Sequence, residues 1–499
     1  MKPKHLAWPA LLQYLWHAGQ NAAVTWVVGI LLLSHLNSSK LVVRWSLAGL
    51  ALLTVGLLVV AVVRYGRFTY LVDATGVIIR RGVLVRQLTH LPYHKIQTVQ
   101  RQQWFYLRPF HLERLTIETA GKGEAEDACI LSAVPQTVGN QIEGYRQKSP
   151  TTDEIGTQPA VTPSSEYQIS WADLNTYALS SLGIVPIIAV LGWLYDKATK
   201  LIPKQDVHQF ENQLLALRGG WLVGLLVLIL FLGFLVSYLS VIERYYHFVL
   251  RKSGQTLMTT RGYFQQNQVS VPQKRIQAVR IKQNVIRQWL GLSSVQVLTA
   301  GQADEHEREG AVTLIPVIRT AGTFGQLAAF IDWLPQQTPT FIPVRRLPRR
   351  YFIRNCGLIW LAGFSLVAVA IKLWLPGFLH DYLWSGPVWL VIAGLQGRYA
   401  GRNAGVGLIN PQLIGLQTGI VFTRQQMLVP RVKIQSLAVT QSVWMRRSGL
   451  AHLTVKLRSG TSTTEVTVRY LDVNTVRQVQ QWYLKAPTQE VDVKTVEQS

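Results

Sequence analysis

Long apolar stretches recur in pairs along this 499-residue chain, and a more polar segment follows each pair. A helix needs about 20 residues, within a range of roughly 17–25, to cross a ~30 Å hydrocarbon layer. Trp and Tyr residues stand near the ends of the stretches, which favours membrane spans over buried helices of a soluble protein. The pattern therefore predicts six spans in three pairs, at 18–36, 42–63, 175–195, 219–242, 355–375 and 383–396.

The polar segments alternate apolar and polar residues with a period of two, which is typical of half-buried strands. In the first segment such runs at 68–72 and 77–82 flank a turn, and the second segment repeats the arrangement. Each segment ends in an amphipathic helical pattern, at about 135–147, 322–334 and 473–484. Several short strands closed by one helix indicate a split β-barrel plugged at one end, the pleckstrin-homology-like (PH-like) plan.

One motif recurs in all three polar segments, at 91–121, 271–301 and 429–460. The first two copies match without a gap at nine positions, and the third keeps the same Pro, Ile-Gln, Gln and Gly-Leu features. Repeats at this spacing indicate one supersecondary unit used three times. The repeated residues are Pro92, Ile96, Gln97 and Gln103; Pro272, Ile276, Gln277, Gln283 and Gly291; and Pro430, Ile434, Gln435, Gln441 and Gly449.

The pattern Pro-x-x-x-Ile-Gln-x-Val-x-x-x-Gln, followed by Gly-Leu and Thr-Ala-Gly, resembles the bacterial PH-like module of the YdbS/YdbT membrane protein family. The order of span pair and module, three times over, resembles the long YdbT-type members with three modules. His111 replaces the corner Gly in the first copy, and Arg458-Ser459 replaces Thr-Ala in the third, so equal roles for the modules do not follow. The resemblance implies a non-enzymatic membrane protein, with a short single-module family member as a candidate partner in a hetero-complex.

Together these features predict an α+β multi-pass membrane protein in which three transmembrane helix pairs are each followed by a cytoplasmic PH-like β-barrel with a C-terminal helix. A flexible linker rich in Pro, Ser and Thr, a basic linker and a tail complete the chain. The predicted boundaries are 18–63, 171–242 and 355–396 for the helix pairs, 64–147, 243–335 and 397–486 for the modules, and 148–170, 336–354 and 487–499 for the linkers and tail.

The placement of Lys and Arg predicts the orientation. Basic residues cluster before the first span, after the second and fourth, and before the fifth, while Lys40 and Arg44 weigh mildly against the trend. Positive loops stay inside, so both termini and all three modules are expected in the cytoplasm of a bacterium, below its cell membrane. The net charge of +24 suits the anionic inner leaflet, and no nucleic-acid partner is expected.

Motifs for chemistry are absent from the sequence. It contains no phosphate-binding loop, zinc-protease, serine-hydrolase or paired-cysteine pattern. Cys129 and Cys356 are too few for a disulfide framework. The acidic runs at 124–127 and 303–309 are expected to be solvated hairpin tips, which provide no converging second shell for a metal. We therefore expect no catalytic residue, no metal and no cofactor.

Two sets of repeated positions remain as candidates for function. The first Gln of each motif follows an inward-pointing Ile and should face the opposite side of its strand. The second Gln lies where the strand bends, where an amide that satisfies backbone groups is favoured over a ligand groove. The corner combines aromatic residues with Arg and suits either a membrane interface or the closed end of a barrel. This candidate interaction surface comprises Trp104, Arg108, Arg287, Trp289, Trp444, Arg446 and Arg447.

Three classes of function follow from these observations. The favoured one is a membrane-anchored scaffold whose modules dock one another or a protein partner. The alternative is recognition of anionic lipid or its headgroup in envelope maintenance or defence. Lipid or solute transport is less favoured because the predicted spans carry no charged pair near their middle. An unrecognised enzyme is less favoured because the catalytic motifs are absent.

Overall fold

The computed structural model describes residues 3–35, 40–83, 85–119, 129–148, 165–180, 220–299, 311–345, 348–374, 379–459 and 462–484. The chain forms two compact units, residues 1–274 and 275–499. The boundary falls inside the second copy of the motif, so the second repeat contributes strands to both units.

Each repeat contributes seven strands to the described part of the chain. The first repeat has β1 Lys4–His5, β2 Thr69–Val72, β3 Gly76–Arg81, β4 Gln87–Pro92, β5 Ile96–Trp104, β6 Leu112–Thr119 and β7 Cys129–Pro135. The second has β8 Ser165–Gln168, β9 Val249–Ser253, β10 Thr256–Arg261, β11 Gln265–Pro272, β12 Ile276–Asn284, β13 Leu292–Thr299 and β14 Ala311–Arg319. The third has β15 Ile342–Pro343, β16 Gly405–Asn410, β17 Leu413–Ile420, β18 Thr423–Pro430, β19 Ile434–Thr440, β20 Leu450–Ser459 and β21 Ser462–Asp472.

The described helices include long apolar ones, short corner helices and one amphipathic helix at the end of each repeat. They run over Pro9–His35, Lys40–Arg67, Gln136–Lys148, Trp171–Leu179, Gly220–Tyr245, Val285–Trp289, Thr323–Phe330, Arg349–Trp374, Leu379–Trp384, Gly386–Arg402, Val443–Arg447 and Val473–Leu484. The three terminal helices lie where the amphipathic patterns predicted them.

Three helices in the described residues are long and apolar enough to cross a membrane: Trp45–Arg67, Val227–Tyr245 and Arg349–Leu373. They coincide with the predicted spans at 42–63, 219–242 and 355–375. Residues 18–35 of the predicted first span lie in the 27-residue helix Pro9–His35. Most of the predicted last span lies in Gly386–Arg402, whose 17 residues are at the short limit for a crossing. In the predicted third span, residues 181–195 lie outside the described residues.

The first strand of each repeat precedes its apolar helices, which the sequence did not predict. β1, β8 and β15 pair antiparallel with β2, β9 and β16. β8 lies within the predicted flexible linker and β15 within the predicted basic linker, so these parts of the two linkers are strands. Each module therefore includes a strand from before its helix pair, which ties the entry and exit of the pair to one sheet.

The strands form four antiparallel sheets in the described ranges, with the orders β1-β2-β3-β4, β7-β6-β5-β11-β10-β9-β8, β14-β13-β12-β18-β17-β16-β15 and β19-β20-β21. No sheet among the described strands closes on itself, so these strands form open sheets and not the predicted PH-like barrels. The reason is that β5 and β12 pair with strands of the next repeat. Two seven-stranded sheets therefore run from one repeat into the next.

The core of the first repeat shows why its halves stay together. Apolar side chains of β2–β4 pack against those of β5–β7, and the terminal helix contributes Val138 and Ile142. Val77, Ile79, Leu115 and other members of this cluster are almost fully buried. The third repeat has the same plan, in which β16–β18 pack against β19–β21 and the helix Val473–Leu484. Apolar burial of this kind, worth about 25 cal/mol per Å², holds each sandwich.

The corner after β12 and β19 requires a left-handed backbone conformation. Gly291 and Gly449 both have φ of +63°, a conformation that glycine adopts readily because it has no Cβ. His111 occupies the same place in the first repeat with φ of 51°. The conformation is therefore common to the three corners, and the first repeat adopts it without glycine.

We expect Gly291→Val and Gly449→Val to destabilise their repeats by roughly 1–2 kcal/mol each, because L-residues are disfavoured in this region. No heavy atom lies within 4 Å of a Cβ built at either position, so the loss comes from the backbone and not from a clash. Asn tolerates the same conformation, which makes Gly291→Asn and Gly449→Asn the matched controls. Thermal melting and trypsin resistance of the full chain in detergent provide the readout, and equal stability of the Val and Asn variants would contradict the assignment.

Candidate functional site

The second Gln of each motif fastens the corner that follows its strand. In all three repeats its side-chain amide donates a hydrogen bond to the backbone carbonyl nine residues later. The donor–acceptor pairs are Gln103 with Leu112 at 3.2 Å, Gln283 with Leu292 at 3.0 Å and Gln441 with Leu450 at 2.8 Å. An amide that satisfies a backbone group at a bend is the arrangement favoured from the sequence.

Gln283 has the largest set of partners among these three residues. Its amide also donates to Ser293 Oγ and Thr320 Oγ1, each at 2.8 Å. Its carbonyl oxygen accepts from the Arg424 guanidinium, with Nε at 3.0 Å. Gln283 is 2% exposed, whereas Gln441 is exposed. The same residue type therefore lies in a buried contact in the second repeat and at the surface in the third.

The first Gln of each motif does not occupy one common environment. Gln277 is buried and donates to the Arg275 carbonyl at 3.2 Å, while Gln435 is exposed. The side chain of Gln97 lies outside the described part of the structure. The motif residues around them keep their expected places, because Ile96, Ile276 and Ile434 are buried and Pro92, Pro272 and Pro430 end strands β4, β11 and β18.

The predicted corner surface is distributed over three separate corners. Trp104 is half-buried and stacks on Tyr106, and the half-buried Arg108 donates to the carbonyl of Tyr263. Arg287 is half-buried on a short corner helix, next to the exposed Trp289.

In the third repeat, Trp444, Arg446 and Arg447 are all exposed on the corner helix Val443–Arg447. The Arg447 guanidinium lies 5.7 Å from the centroid of the Trp444 ring. Trp289 and Trp444 are 87% and 75% exposed, so these two corners present bare aromatic surface. Their role in an interaction stays a prediction.

The first junction joins the second half of repeat one to the first half of repeat two. β5 pairs antiparallel with β11 over six residue pairs, from Val99 with Ser270 to Trp104 with Gln265. Phe105 and Phe264 meet edge to face at 6.4 Å beside the ladder, and Ser270 donates to Glu143 Oε1 at 3.2 Å. Backbone pairing therefore supplies the contact, and side chains at both ends secure it.

The second junction has the same construction. β12 pairs antiparallel with β18 from Val279 with Leu428 to Asn284 with Thr423. The Gln283–Arg424 contact lies within this ladder, and the amide of Val285 donates to the carbonyl of Phe422 at 3.1 Å. Burial lowers the pKa of the Arg424 guanidinium below its ordinary value.

Both junctions use the same register relative to the repeated motif. Val99 and Val279 each lie three residues after the motif Ile, and their partners Ser270 and Leu428 each lie two residues before the motif Pro. A shift by one residue would turn every side chain to the other face of the sheet. The repeat therefore encodes a specific strand-to-strand contact between successive modules, which the sequence analysis missed.

Two strands equivalent to the junction strands lie at sheet edges in the described part of the chain. β4 ends the first sheet and corresponds to β11 and β18, while β19 begins the last sheet and corresponds to β5 and β12. Leu88 on β4 is 65% exposed and Val439 on β19 is 41% exposed. Exposed edge strands with apolar side chains are templates for pairing with another strand.

A buried ion pair fixes β5 within the first repeat. Arg101 Nε lies 2.9 Å from Glu113 Oε2, and its guanidinium also donates to Asn140 Oδ1 at 2.8 Å. Burial raises the pKa of the Glu113 carboxyl above its ordinary value, while the hydrogen bond and charge of Arg101 act in the opposite direction. The repeat pattern did not predict this pair, because the second repeat has Ile281 and Ser293 at the same positions.

A cleft of about 450 Å³ lies beside the corner of the third repeat. It is bounded by Tyr351 and Arg354 at the start of an apolar helix and by Gln441, Trp444 and His452 of the sandwich. Burial lowers the pKa of the His452 imidazole below its ordinary value, and the charge of Arg469 acts in the same direction. The cleft combines an Arg with aromatic walls at the base of a membrane-length helix.

Comparison with known proteins places these features in a family. The bacterial PH domain family model matches residues 22–143, 186–329 and 356–487, one match for each repeat. The chain is 25% identical to the UPF0699 transmembrane protein YdbT of Bacillus subtilis (strain 168), over 97% of this chain and 98% of that protein. No solved structure matches the chain significantly.

Proposed function

Because the chain belongs to the bacterial PH domain family, we propose that it is a non-enzymatic integral membrane protein whose three PH-like modules form a protein–protein scaffold at the membrane. The observation that carries this proposal is the repeated edge-to-edge pairing of β5 with β11 and of β12 with β18. In this role the modules act as strand-pairing units, and the apolar helices keep them at the membrane surface.

The contact between modules resembles a recognised mode of protein recognition. When a strand is added to a sheet edge, backbone hydrogen bonds provide affinity and alternate side chains provide specificity. Both features occur at the second junction, where an unbroken ladder is combined with the buried Gln283–Arg424 contact. A surface that joins modules within the chain is suited to joining further modules or partners.

The proposal includes a multi-pass topology with both termini in the cytoplasm. The relative named above is a transmembrane protein, and three helices of this chain have membrane-crossing length and composition. Single cysteines at Ser38 and Thr488, with Cys129 and Cys356 replaced by Ala, test the orientation in intact cells. An impermeant thiol reagent should label Ser38→Cys and not Thr488→Cys; labelling of the tail from outside would overturn the topology.

The scaffold function predicts a protein neighbour at the exposed β19 edge. We expect a photoreactive phenylalanine analogue in place of Val439, in the full chain in its membrane, to form a discrete protein adduct on irradiation. Val432, which is 82% exposed on the turn before β19, is the matched control because it lies off the strand edge. Adducts with lipid alone at position 439 would contradict the scaffold.

Recognition of anionic lipid is the second candidate function, and the cleft lined by Arg354 and Trp444 favours it. An Arg beside aromatic rings suits a phosphate headgroup at the membrane interface. The same photoreactive residue in place of Trp444 separates the two functions, because headgroup recognition predicts an adduct with phosphatidylglycerol there that is lost in Arg354→Ala. A protein adduct at 439 without a lipid adduct at 444 would favour the scaffold alone.

A further inference from the structure

The two exposed strand edges of this chain are complementary to each other. β4 corresponds to β11 and β18, which pair at the junctions with a strand of the preceding repeat. β19 corresponds to β5 and β12, which pair with a strand of the following repeat. We propose that β19 of one copy pairs with β4 of a second copy, so that copies join head to tail through the contact that joins the repeats. This inference rests on the proposed scaffold function and names its partner.

The two internal junctions define the register of the contact between copies. Residues are aligned by their distance from the motif Ile on β19 and from the motif Pro on β4. Antiparallel pairing in that register places Ala438 opposite Thr89, Val439 opposite Leu88 and Gln441 opposite Arg86.

The side chains on the two edges fit this register. Val439 and Leu88 are both exposed apolar residues, and pairing would remove both from water. Gln441 and the exposed Arg86 occupy the positions of Gln283 and Arg424, whose side chains are hydrogen-bonded at the second junction. Val439 and Gln441 are two residues apart, and so are Leu88 and Arg86. In extended chains, residues two apart lie on the same face, so the apolar pair and the Gln–Arg pair would lie side by side.

The equivalents of Val439 and Gln441 are buried at the second junction. Ile281 and Gln283 are 3% and 2% exposed there, whereas Val439 and Gln441 are exposed. A second copy supplies the missing strand with the repeat's own sequence. Such a contact is heterologous, so it extends into a ring or an open array and is not limited to a two-fold dimer.

Cysteine pairs divided between two differently tagged copies test the contact directly. Cys129→Ala and Cys356→Ala form the background, and the copies are expressed together in one membrane. One copy carries Val439→Cys or Ala438→Cys, and the other carries Leu88→Cys or Thr89→Cys. Because each copy holds one cysteine, a disulfide between the two positions can form only between chains.

The proposal predicts that the matched pairs 439 with 88 and 438 with 89 form a disulfide adduct containing both tags. The crossed pairs 439 with 89 and 438 with 88 use the same four positions. They should not form the adduct, because a one-residue slip places the thiols on opposite faces. Equal yields from matched and crossed pairs would overturn the register and the proposal.

A charge swap gives a second readout that does not depend on disulfide geometry. One copy carries Ala438→Cys with Val439→Lys, and the other carries Thr89→Cys with Leu88→Lys. The two like charges then lie opposite each other, which should lower the yield of the 438 with 89 adduct by about two- to five-fold. Leu88→Glu in the partner copy should restore the yield. No dependence on the sign of the charge would count against direct pairing of the two strands.

Comparison with the photo-crosslinking experiment separates the two proposals. A protein adduct at position 439 that never contains the second tag would overturn pairing with a second copy and leave the scaffold function standing, with a separate strand-bearing protein as the occupant. The absence of any protein adduct at position 439 would overturn both.

Discussion

Replacement of Arg101 by Met is expected to weaken the second half of the first repeat by about 3–5 kcal/mol, because it leaves a buried carboxylate without its partner. Glu113 is 4% exposed at the side chain, and Arg101 Nε is 2.9 Å from its Oε2. Hydrogen exchange of β5–β7 in the full chain measures the effect locally. Amides that open through this region should exchange faster by roughly two to four orders of magnitude.

The double variant Arg101→Met with Glu113→Gln is the matched control. Glu113→Gln removes the carboxylate charge that Arg101→Met leaves unpaired, so the double variant should be more stable than Arg101→Met alone. If the single variant exchanges at the wild-type rate, or if the double variant is no better, the ion pair does not stabilise this half of the repeat.

The Arg101→Met defect should also depend on pH. Arg101 opposes the rise in the Glu113 pKa that burial causes, so its loss moves that pKa further above the unfolded value. A carboxyl whose folded pKa is raised contributes stability that is present below its unfolded pKa of about 4.3 and is lost as the pH rises through its folded pKa. Exchange in the variant should therefore approach the wild-type rate near pH 5 and diverge from it near pH 7.5.

Gln283→Leu is expected to cause the second-largest loss of stability. The substitution leaves the Leu292 carbonyl and the half-buried Arg424 guanidinium without the amide that satisfies them. Each buried polar group left unpaired costs about 1–3 kcal/mol. The loss should appear as a lower melting temperature of the full chain in detergent and as faster exchange in β12 and β18.

Gln441→Leu is the control for that substitution within the same chain. It removes an equivalent bond to the Leu450 carbonyl, but Gln441 is exposed and water can replace it. We expect a loss below about 1 kcal/mol. Equal losses of stability in Gln283→Leu and Gln441→Leu would show that the hydrogen bond at the corner, and not the contact at the junction, determines the loss.

The sequence by itself determined the parts of this protein that depend on local periodicity. Period-two alternation located the strands around the motif, and the apolar stretches located the three helices of membrane-crossing length. The repeated Gly-Leu pattern marked Gly291 and Gly449 as equivalent corner positions, and both have a positive φ. Recognition of three PH-like repeats also followed from the motif, and the family match at each repeat confirms it.

Only the tertiary structure decided which strand edges meet. A strand of alternating residues has two identical hydrogen-bonding edges, and its sequence does not say whether the partner lies in the same module or the next. For β5 and β12 the partner is a strand of the following repeat, so shared sheets form in place of the predicted barrels. The same limit hid the contact of Gln283 with Arg424 across 141 residues, because such pairs are determined by packing and not by spacing along the chain.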